Sequence, residues 1–146
     1  MTLLQNKWLI LGFRFILGIM MMYASFSKIA DPKEFASLID NYQFLPYSLT
    51  NLMAIFLPWV ELYVGACLIL GIFVDGAALL TMGMMLMFII ALSQATIRGL
   101  DIECGCFTGA SKVGVSRILE DILWLAMTFV VWRRRENSFE IYPKSV

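Results

Sequence analysis

Two of the chain's three cysteines, Cys104 and Cys106, lie one residue apart in the polar stretch Glu-Cys-Gly-Cys-Phe-Thr-Gly. A disulfide between them would close a very small ring, for which Gly105 provides backbone freedom. Strain in such a ring raises its reduction potential and favours exchange with other thiols. Structural disulfides usually close longer loops, where the cross-link restricts the unfolded chain more strongly. We therefore expect an exchangeable redox pair.

Two other interpretations of this pair stay open. The thiols could hold a soft metal ion or a sulfur species, or they could be incidental small apolar side chains. Their charged neighbours do not decide their reactivity, because Arg98 and Lys112 favour the thiolate whereas Asp101 and Glu103 oppose it. The chain has no histidine. A tight metal site would therefore need ligands from a partner, and we assign none within the chain.

The third cysteine, Cys67, is expected to be a packing residue. It lies about six residues, or roughly 9 Å, from the inner end of the second apolar segment. With a hydrocarbon core of about 30 Å, roughly 20 Å then separate it from the loop that carries the other two thiols. At that depth it could not resolve a disulfide formed by them.

The composition indicates a membrane protein. Apolar residues make up 60% of the 146, charged residues only 15%, and the mean hydropathy is +0.80. This balance is typical of a chain that folds in a bilayer. The eleven basic and eleven acidic residues cancel, so no net field attracts nucleic acid. Without histidine, imidazole catalysis and the usual zinc and haem sites are excluded.

Four apolar stretches come near the roughly 18 to 20 residues that cross a bilayer. They cover about residues 8–26, 49–73, 76–97 and a slightly short 115–133. Backbone groups in lipid must bond within their own segment, so each stretch is predicted to be a helix. The sequence therefore predicts an all-α, integral membrane four-helix bundle, with residues 1–146 as one transmembrane domain.

A short amphipathic helix is predicted between the first two spans, over about residues 32–42. Asp31 stands where an N-cap belongs, Pro32 follows in the first turn, and Glu34 comes three residues after the cap. Apolar residues then follow at helical spacing: Phe35, Leu38, Ile39 and Tyr42. Such a helix would lie at the membrane interface or over the mouth of the bundle.

Two charged residues fall deep inside the predicted spans, Arg14 in the first and Glu61 in the second. A charge at such depth is costly, so it is expected to be paired, to face the interior and often to serve function. Their predicted levels differ by roughly 9 Å, which leaves a direct pair open. Lys28, at the outer end of the first span, either snorkels to the interface or reaches Glu61. A purely structural pair is as well supported as a functional one.

The arginine cluster Arg133–Arg135 directly follows the last span. Basic residues beside a span favour the cytoplasmic side, and four spans place both termini together. The loop of residues 98–114, with its Cys-Gly-Cys motif, is then extracytoplasmic, where disulfides persist.

Four segments in order resemble the MauE/DoxX family of redox-associated membrane proteins over about residues 10–132. They are SKIADPKEFASLIDNYQFLP, LPWVELYVGACLILGIF, RGLDIECGCF and VGVSRILEDILWL. The resemblance implies a four-helix protein of the bacterial inner membrane. It implies, for MauE-type members, a role in methylamine utilisation, where they support the disulfides of an exported dehydrogenase subunit beside a thioredoxin-like partner. The matching positions here are Lys28, Pro58, Glu61, Cys104 and Cys106. The family motif commonly has glycine directly after Cys-Gly-Cys-Phe, whereas here Thr108 precedes Gly109.

These observations predict an inner-membrane thiol–disulfide helper. Its redox pair is Cys104 and Cys106, and its supporting polar residues are Glu61 and Lys28. A quinone is the membrane electron acceptor that this chemistry could use, although no residue identifies a site for one. The expected partners are the lipid bilayer and a periplasmic thioredoxin-like or substrate protein. One cysteine pair favours a relay over an autonomous oxidase, and whether the chain is itself an enzyme stays open.

Two rival hypotheses remain. The chain could be a non-catalytic membrane scaffold or assembly subunit, in which the two thiols are incidental. Alternatively, it could carry a thiophilic metal or sulfur species.

Overall fold

A computed structural model describes residues 6–42, 46–99, 115–133 and 140–141. These residues form five helices. They are α1 (Lys7–Ala30), α2 (Pro32–Asn41), α3 (Tyr47–Leu70), α4 (Val74–Ile97) and α5 (Val115–Trp132). The prediction of an all-helical chain is confirmed, as is the short helix after Asp31, whose side chain accepts a hydrogen bond from the Glu34 N–H at 3.0 Å.

Three of these helices are long and apolar enough to cross a membrane: α1, α3 from Ser48, and α4. Their outward faces carry large apolar side chains, such as Phe56 and Trp59, which are 62% and 58% exposed. A surface of this kind suits lipid better than water. The fold therefore fits a multi-pass membrane protein. α5 is not one of the three, since its first two turns hold Arg117, Glu120 and Asp121.

The ends of two helices differ from the sequence-based prediction. α1 continues to Ala30 instead of ending near residue 26, because no helix-breaking residue occurs before Pro32. α3 ends at Leu70 instead of residue 73, because Gly71 adopts a left-handed conformation with φ 74°. The N–H groups of Gly71 and Ile72 both donate to the carbonyl of Cys67, which closes the helix end. α4 then begins at Val74.

α1 and α3 run antiparallel and pack along each other. Arg14 contacts the carbonyl of Leu68, and Lys28 contacts Glu61, so residue numbers rise along α1 as they fall along α3. α4 packs on α3 and α5, α5 also contacts α1, and α2 rests on α3 and α1. The buried core joins the four longer helices through apolar residues that include Leu17, Met21, Val64, Leu68, Ala77, Met84, Met85 and Val131.

Candidate functional site

The centre of the candidate site is a buried ion pair between α1 and α3. The Nζ of Lys28 lies 2.7 Å from Oε1 and 2.8 Å from Oε2 of Glu61. Lys28 is 3% exposed and Glu61 is 2% exposed. Of the two alternatives that the sequence left open for Lys28, the structure therefore shows the inward one.

The antiparallel packing explains how Lys28 reaches Glu61. Gly18 and Gly65 lie opposite each other. Lys28 is ten residues beyond Gly18, about 15 Å along α1, whereas Glu61 is only four residues from Gly65, about 6 Å along α3. The two side chains must therefore cover about 9 Å along the helix axes. They can do so because each side chain leans toward the N-terminus of its own helix, and in antiparallel helices these directions converge.

Two aromatic rings surround the same ammonium group. The Nζ of Lys28 lies 5.1 Å from the ring centroid of Phe35 in α2 and 5.4 Å from that of Phe88 in α4. Both distances are within the range of a cation–π interaction. The sequence indicated Phe35 only as part of an apolar helix face, and Phe88 lies in a span without a charge in its central turns. Neither pattern carried a signal that they would meet a lysine.

This arrangement compensates the buried charge of Lys28. Removing two ions from water costs several kcal/mol for each, which is offset only when the ions are close and well hydrogen-bonded. Here two of the three ammonium donors of Lys28 are directed at the Glu61 carboxylate. In chemical terms, the site is a carboxylate and two ring faces arranged around one ammonium group.

Arg14 does not pair with Glu61. Its Nε donates a hydrogen bond of 3.0 Å to the carbonyl of Leu68, in the last turn of α3, and its Nη1 lies 3.9 Å from Oε1 of Glu140. Arg14 is 1% exposed. A cation beside carbonyls at a helix C-terminus is favoured by the helix dipole. The N–H of Ile141 also donates to the carbonyl of Gly71 at 3.0 Å, so residues 140–141 return to this end of α3.

The sequence did not reveal the role of Glu140. It lies beyond the last predicted span, in a stretch without helical periodicity, and only the folded chain brings it to Arg14. Pro58, another position matched in the resemblance, is buried within α3, one turn before Glu61.

The redox pair predicted at Cys104 and Cys106 lies outside the described residues. The loop that carries it follows α4, which ends at Ile97, and precedes α5, which begins at Val115. Cys67 is 6% exposed and lies three residues from the end of α3, not six as predicted, because α3 ends at Leu70. It therefore sits beside the α3–α4 turn, whereas the loop leaves from the other end of α4, a helix about 36 Å long.

The Lys28–Glu61 pair lies toward the same end of the helices as that loop. α2 follows the end of α1 directly, and α4 runs back from the α3–α4 turn to finish at this end. A polar surface groove between α2 and α3 opens here as well, lined by Lys33, Ala36, Ser37, Asp40, Thr50 and Asn51. Among the described residues, no group of three or more acidic, cysteine or histidine side chains could hold a metal ion.

The family and the known proteins that match this chain carry the same description. The family described as methylamine utilisation protein MauE matches residues 6–133. The methylamine utilization protein MauE of Paracoccus denitrificans is 32% identical over 107 residues, which are 73% of this chain and 58% of that protein. The MauE protein of Methylorubrum extorquens is also 32% identical, over 120 residues, 82% of this chain and 64% of that protein. The MauE protein of Methylophilus methylotrophus is 29% identical over 112 residues, which are 74% of this chain and 59% of that protein.

The chain thus spans about three-fifths of the length of these curated relatives. No solved structure matches the chain with a significant score.

Proposed function

Since the chain belongs to the family of methylamine utilisation protein MauE, we propose that it is a membrane-embedded thiol–disulfide helper acting through Cys104 and Cys106. The observation that carries this proposal is the Cys-Gly-Cys motif in the loop between α4 and α5. The third thiol is buried at the far end of the helices, so the pair acts without it.

The proposed reaction is thiol–disulfide exchange. A thiolate of a partner protein attacks the Cys104–Cys106 disulfide, forming one mixed disulfide and releasing one thiolate of the pair. The second thiol of the partner then attacks the mixed disulfide and releases the cysteine still bound in it, which leaves the partner oxidised and the pair reduced. One disulfide is formed and one is broken, and two electrons move to the pair. The direction of net flow is set by the reduction potentials of the two proteins.

We propose that α5 is a fourth membrane-spanning helix, which makes the chain a four-helix bundle. It has 18 residues and packs against α1 and α4, with Thr128 and Val131 fully buried. Its charges are confined to the first two turns, where Arg117 pairs with Glu120. Four crossings put both termini on one side, and the arginines from Arg133 make that side cytoplasmic.

This topology places the Cys-Gly-Cys loop on the extracytoplasmic face of the bacterial inner membrane. Disulfides form and persist in that compartment. An exported protein of methylamine utilisation, together with a thioredoxin-like partner, would meet the loop there. The relatives' names support the pathway, and the thiol pair supports the chemistry.

The Lys28–Glu61 pair has a positioning role in this proposal. It joins α1 to α3 and touches Phe35 of α2, at the end of the helices from which the loop departs. It thereby holds α1, α2 and α3 together at the end of the helices where, in this proposal, the thiols meet a partner protein. A membrane quinone as final electron acceptor would be consistent with this chemistry, and no described residue identifies a site for it.

Capture of a partner tests the proposal. In cells that use methylamine, Cys104→Ser and Cys106→Ser variants are each quenched with acid and alkylated, and disulfide-linked complexes are identified by mass spectrometry. At least one variant should accumulate a mixed disulfide that reductant releases. Cys67→Ser is the matched control, and it should behave like the unchanged protein. Failure of both loop variants to capture any protein contradicts the proposal.

A non-catalytic scaffold is the second candidate function. The buried ion pair and the close contact of α1 with α3 stabilise the helices without any thiol chemistry. A scaffold would still support growth on methylamine after both Cys104 and Cys106 are replaced by serine, whereas the redox helper would not.

A further inference from the structure

Four helices converge on one nitrogen atom. Lys28 from α1 brings its Nζ to the Glu61 carboxylate of α3, and rings from α2 and α4, Phe35 and Phe88, face the same atom. Lys28, Glu61 and Phe35 are each less than 5% exposed. The ammonium group thus has partners from three other helices, α2, α3 and α4.

These three partners form the chemistry that recognises an ammonium ion. A carboxylate neutralises the charge and accepts two hydrogen bonds, while two ring faces supply the negative side of their quadrupoles. Sites that bind alkylammonium ligands combine aromatic faces in this way. Because the enclosure is buried, each of these attractions is stronger than the same contact in water.

Phe35 also links the site to α2. Within Pro32–Asn41 it is the one fully buried residue, since the other apolar side chains of this helix are half-buried. The polar residues Lys33, Glu34, Ser37 and Asp40 are exposed. A helix of ten residues is marginal by itself, so its attachment depends on its packing. The ring of this buried residue lies over the Lys28 ammonium and so links α2 to α1.

We infer that Glu61, Phe35 and Phe88 form an ammonium-binding site whose occupant is the chain's own Lys28, and that its occupancy holds α2 against the long helices. Lys28 acts as a tethered ligand. When the ammonium group leaves, Phe35 loses its cation–π partner and Glu61 loses its hydrogen-bond donor, so α2 opens. This inference involves no thiol and stands independently of the proposed redox function.

Chemical rescue tests the inference. Lys28→Ala removes three methylenes and the ammonium group, and n-propylammonium supplies those same atoms in solution. The readout is amide hydrogen exchange of α2 in the full chain reconstituted in lipid nanodiscs, with the amides of α4 as an internal reference. 1-Propanol, of similar size but uncharged, is the control additive. Lys28→Met is the control variant, because it fills the space without a charge.

Exchange of the α2 amides should be about tenfold faster in Lys28→Ala than in the unchanged chain, from the loss of the buried cation–π contact with Phe35. Added n-propylammonium should restore slow exchange, whereas 1-propanol should not. Lys28→Met should also exchange fast, and n-propylammonium should not rescue it. Unchanged exchange of α2 in Lys28→Ala overturns the inference, as does equal rescue by 1-propanol, which would show that only space is filled.

A second variant covers the case in which Lys28→Ala does not fold. Phe35→Leu retains the ion pair and an apolar side chain, but it removes the ring face. It should speed exchange in α2 severalfold while α4 keeps its normal rate. Equal protection of α2 in Phe35→Leu and the unchanged chain overturns the inference.

Discussion

Gly18 of α1 lies backbone to backbone against Gly65 of α3. A Cβ atom at Gly65 would sit 2.8 Å from the carbonyl oxygen of Gly18, and a Cβ at Gly18 would sit 2.8 Å from the carbonyl oxygen of Gly65. Carbon atoms do not approach carbonyl oxygens this closely in stable packing. The contact sets the register of the two helices, and this register brings Lys28 within reach of Glu61.

Gly65→Ala should therefore destabilise the fold. Its methyl group would meet backbone atoms of Gly18 and Met22, which cannot rotate away. We expect a loss of about 1–3 kcal/mol, the usual cost of overpacking. Thermal unfolding in detergent measures it. Gly83→Ala in α4 is the matched control, because a Cβ there meets nothing within 4 Å. An equal effect of the two substitutions would show that the close crossing is absent.

Breaking the buried ion pair should cost more than breaking an exposed one. Glu61→Gln leaves the Lys28 ammonium uncompensated in a buried site, which typically costs about 3–5 kcal/mol. Glu120→Gln, which removes the exposed partner of Arg117 in α5, should cost less than about 1 kcal/mol. Unfolding midpoints of the two variants provide the comparison. Similar midpoints would contradict the buried pairing.

Removing both partners of the ion pair together should destabilise the fold less than removing either one alone. Replacing Lys28 by methionine and Glu61 by leucine leaves no unpaired charge, and such apolar replacements of buried pairs are often neutral. A double-mutant cycle on unfolding free energies measures the coupling between the two sites. Strictly additive effects would be incompatible with direct contact.

Glu140→Gln should destabilise the end of the helices where Arg14 is buried. The carboxylate of Glu140 compensates the guanidinium of Arg14 at 3.9 Å, and both side chains are almost fully enclosed. We expect a loss of about 1–3 kcal/mol, since a buried charged group would lose a charged partner. Glu34→Gln, at an exposed position of α2, should have almost no effect. If both variants have the same free energy of unfolding, Glu140 does not form an ion pair with Arg14.

Cys67 should be unreactive in the folded protein. The residue is 6% exposed within the core that the four longer helices share. In a chain with Cys104 and Cys106 both replaced by serine, maleimide should label Cys67 only after denaturation. Rapid labelling of the native protein would place this thiol in contact with solvent.

The helices were predictable because their signals are local. Apolar stretches of membrane-spanning length gave α1, α3 and α4, and the Asp31 cap with its helical spacing gave α2. Helix ends were less predictable, since the termination at Leu70 depends on the left-handed conformation of Gly71. The membership in the MauE family that the ordered segments indicated is confirmed, and the relation to DoxX-type proteins stays a prediction.

The partners of the buried charges depend on tertiary packing. The cost of a charge in an apolar span predicted that Glu61 has a partner, but the two basic candidates, Arg14 and Lys28, could not be ranked without the helix register. The crossing of α1 and α3 at Gly18 and Gly65 places Lys28, and not Arg14, within reach of Glu61. Glu140 and the two phenylalanines around Lys28 left no local pattern, because each is distant in sequence from the residue that it contacts.

The central claim, that Cys104 and Cys106 cycle between dithiol and disulfide, is tested most directly by their redox state in living cells. Acid quenching and alkylation with a mass-tagged maleimide, in a Cys67→Ser chain, count the free thiols of the pair. We predict that both forms are present, that an added oxidant shifts all molecules to the disulfide, and that dithiothreitol returns them to the dithiol. A pair that stays fully reduced under oxidant would contradict the claim.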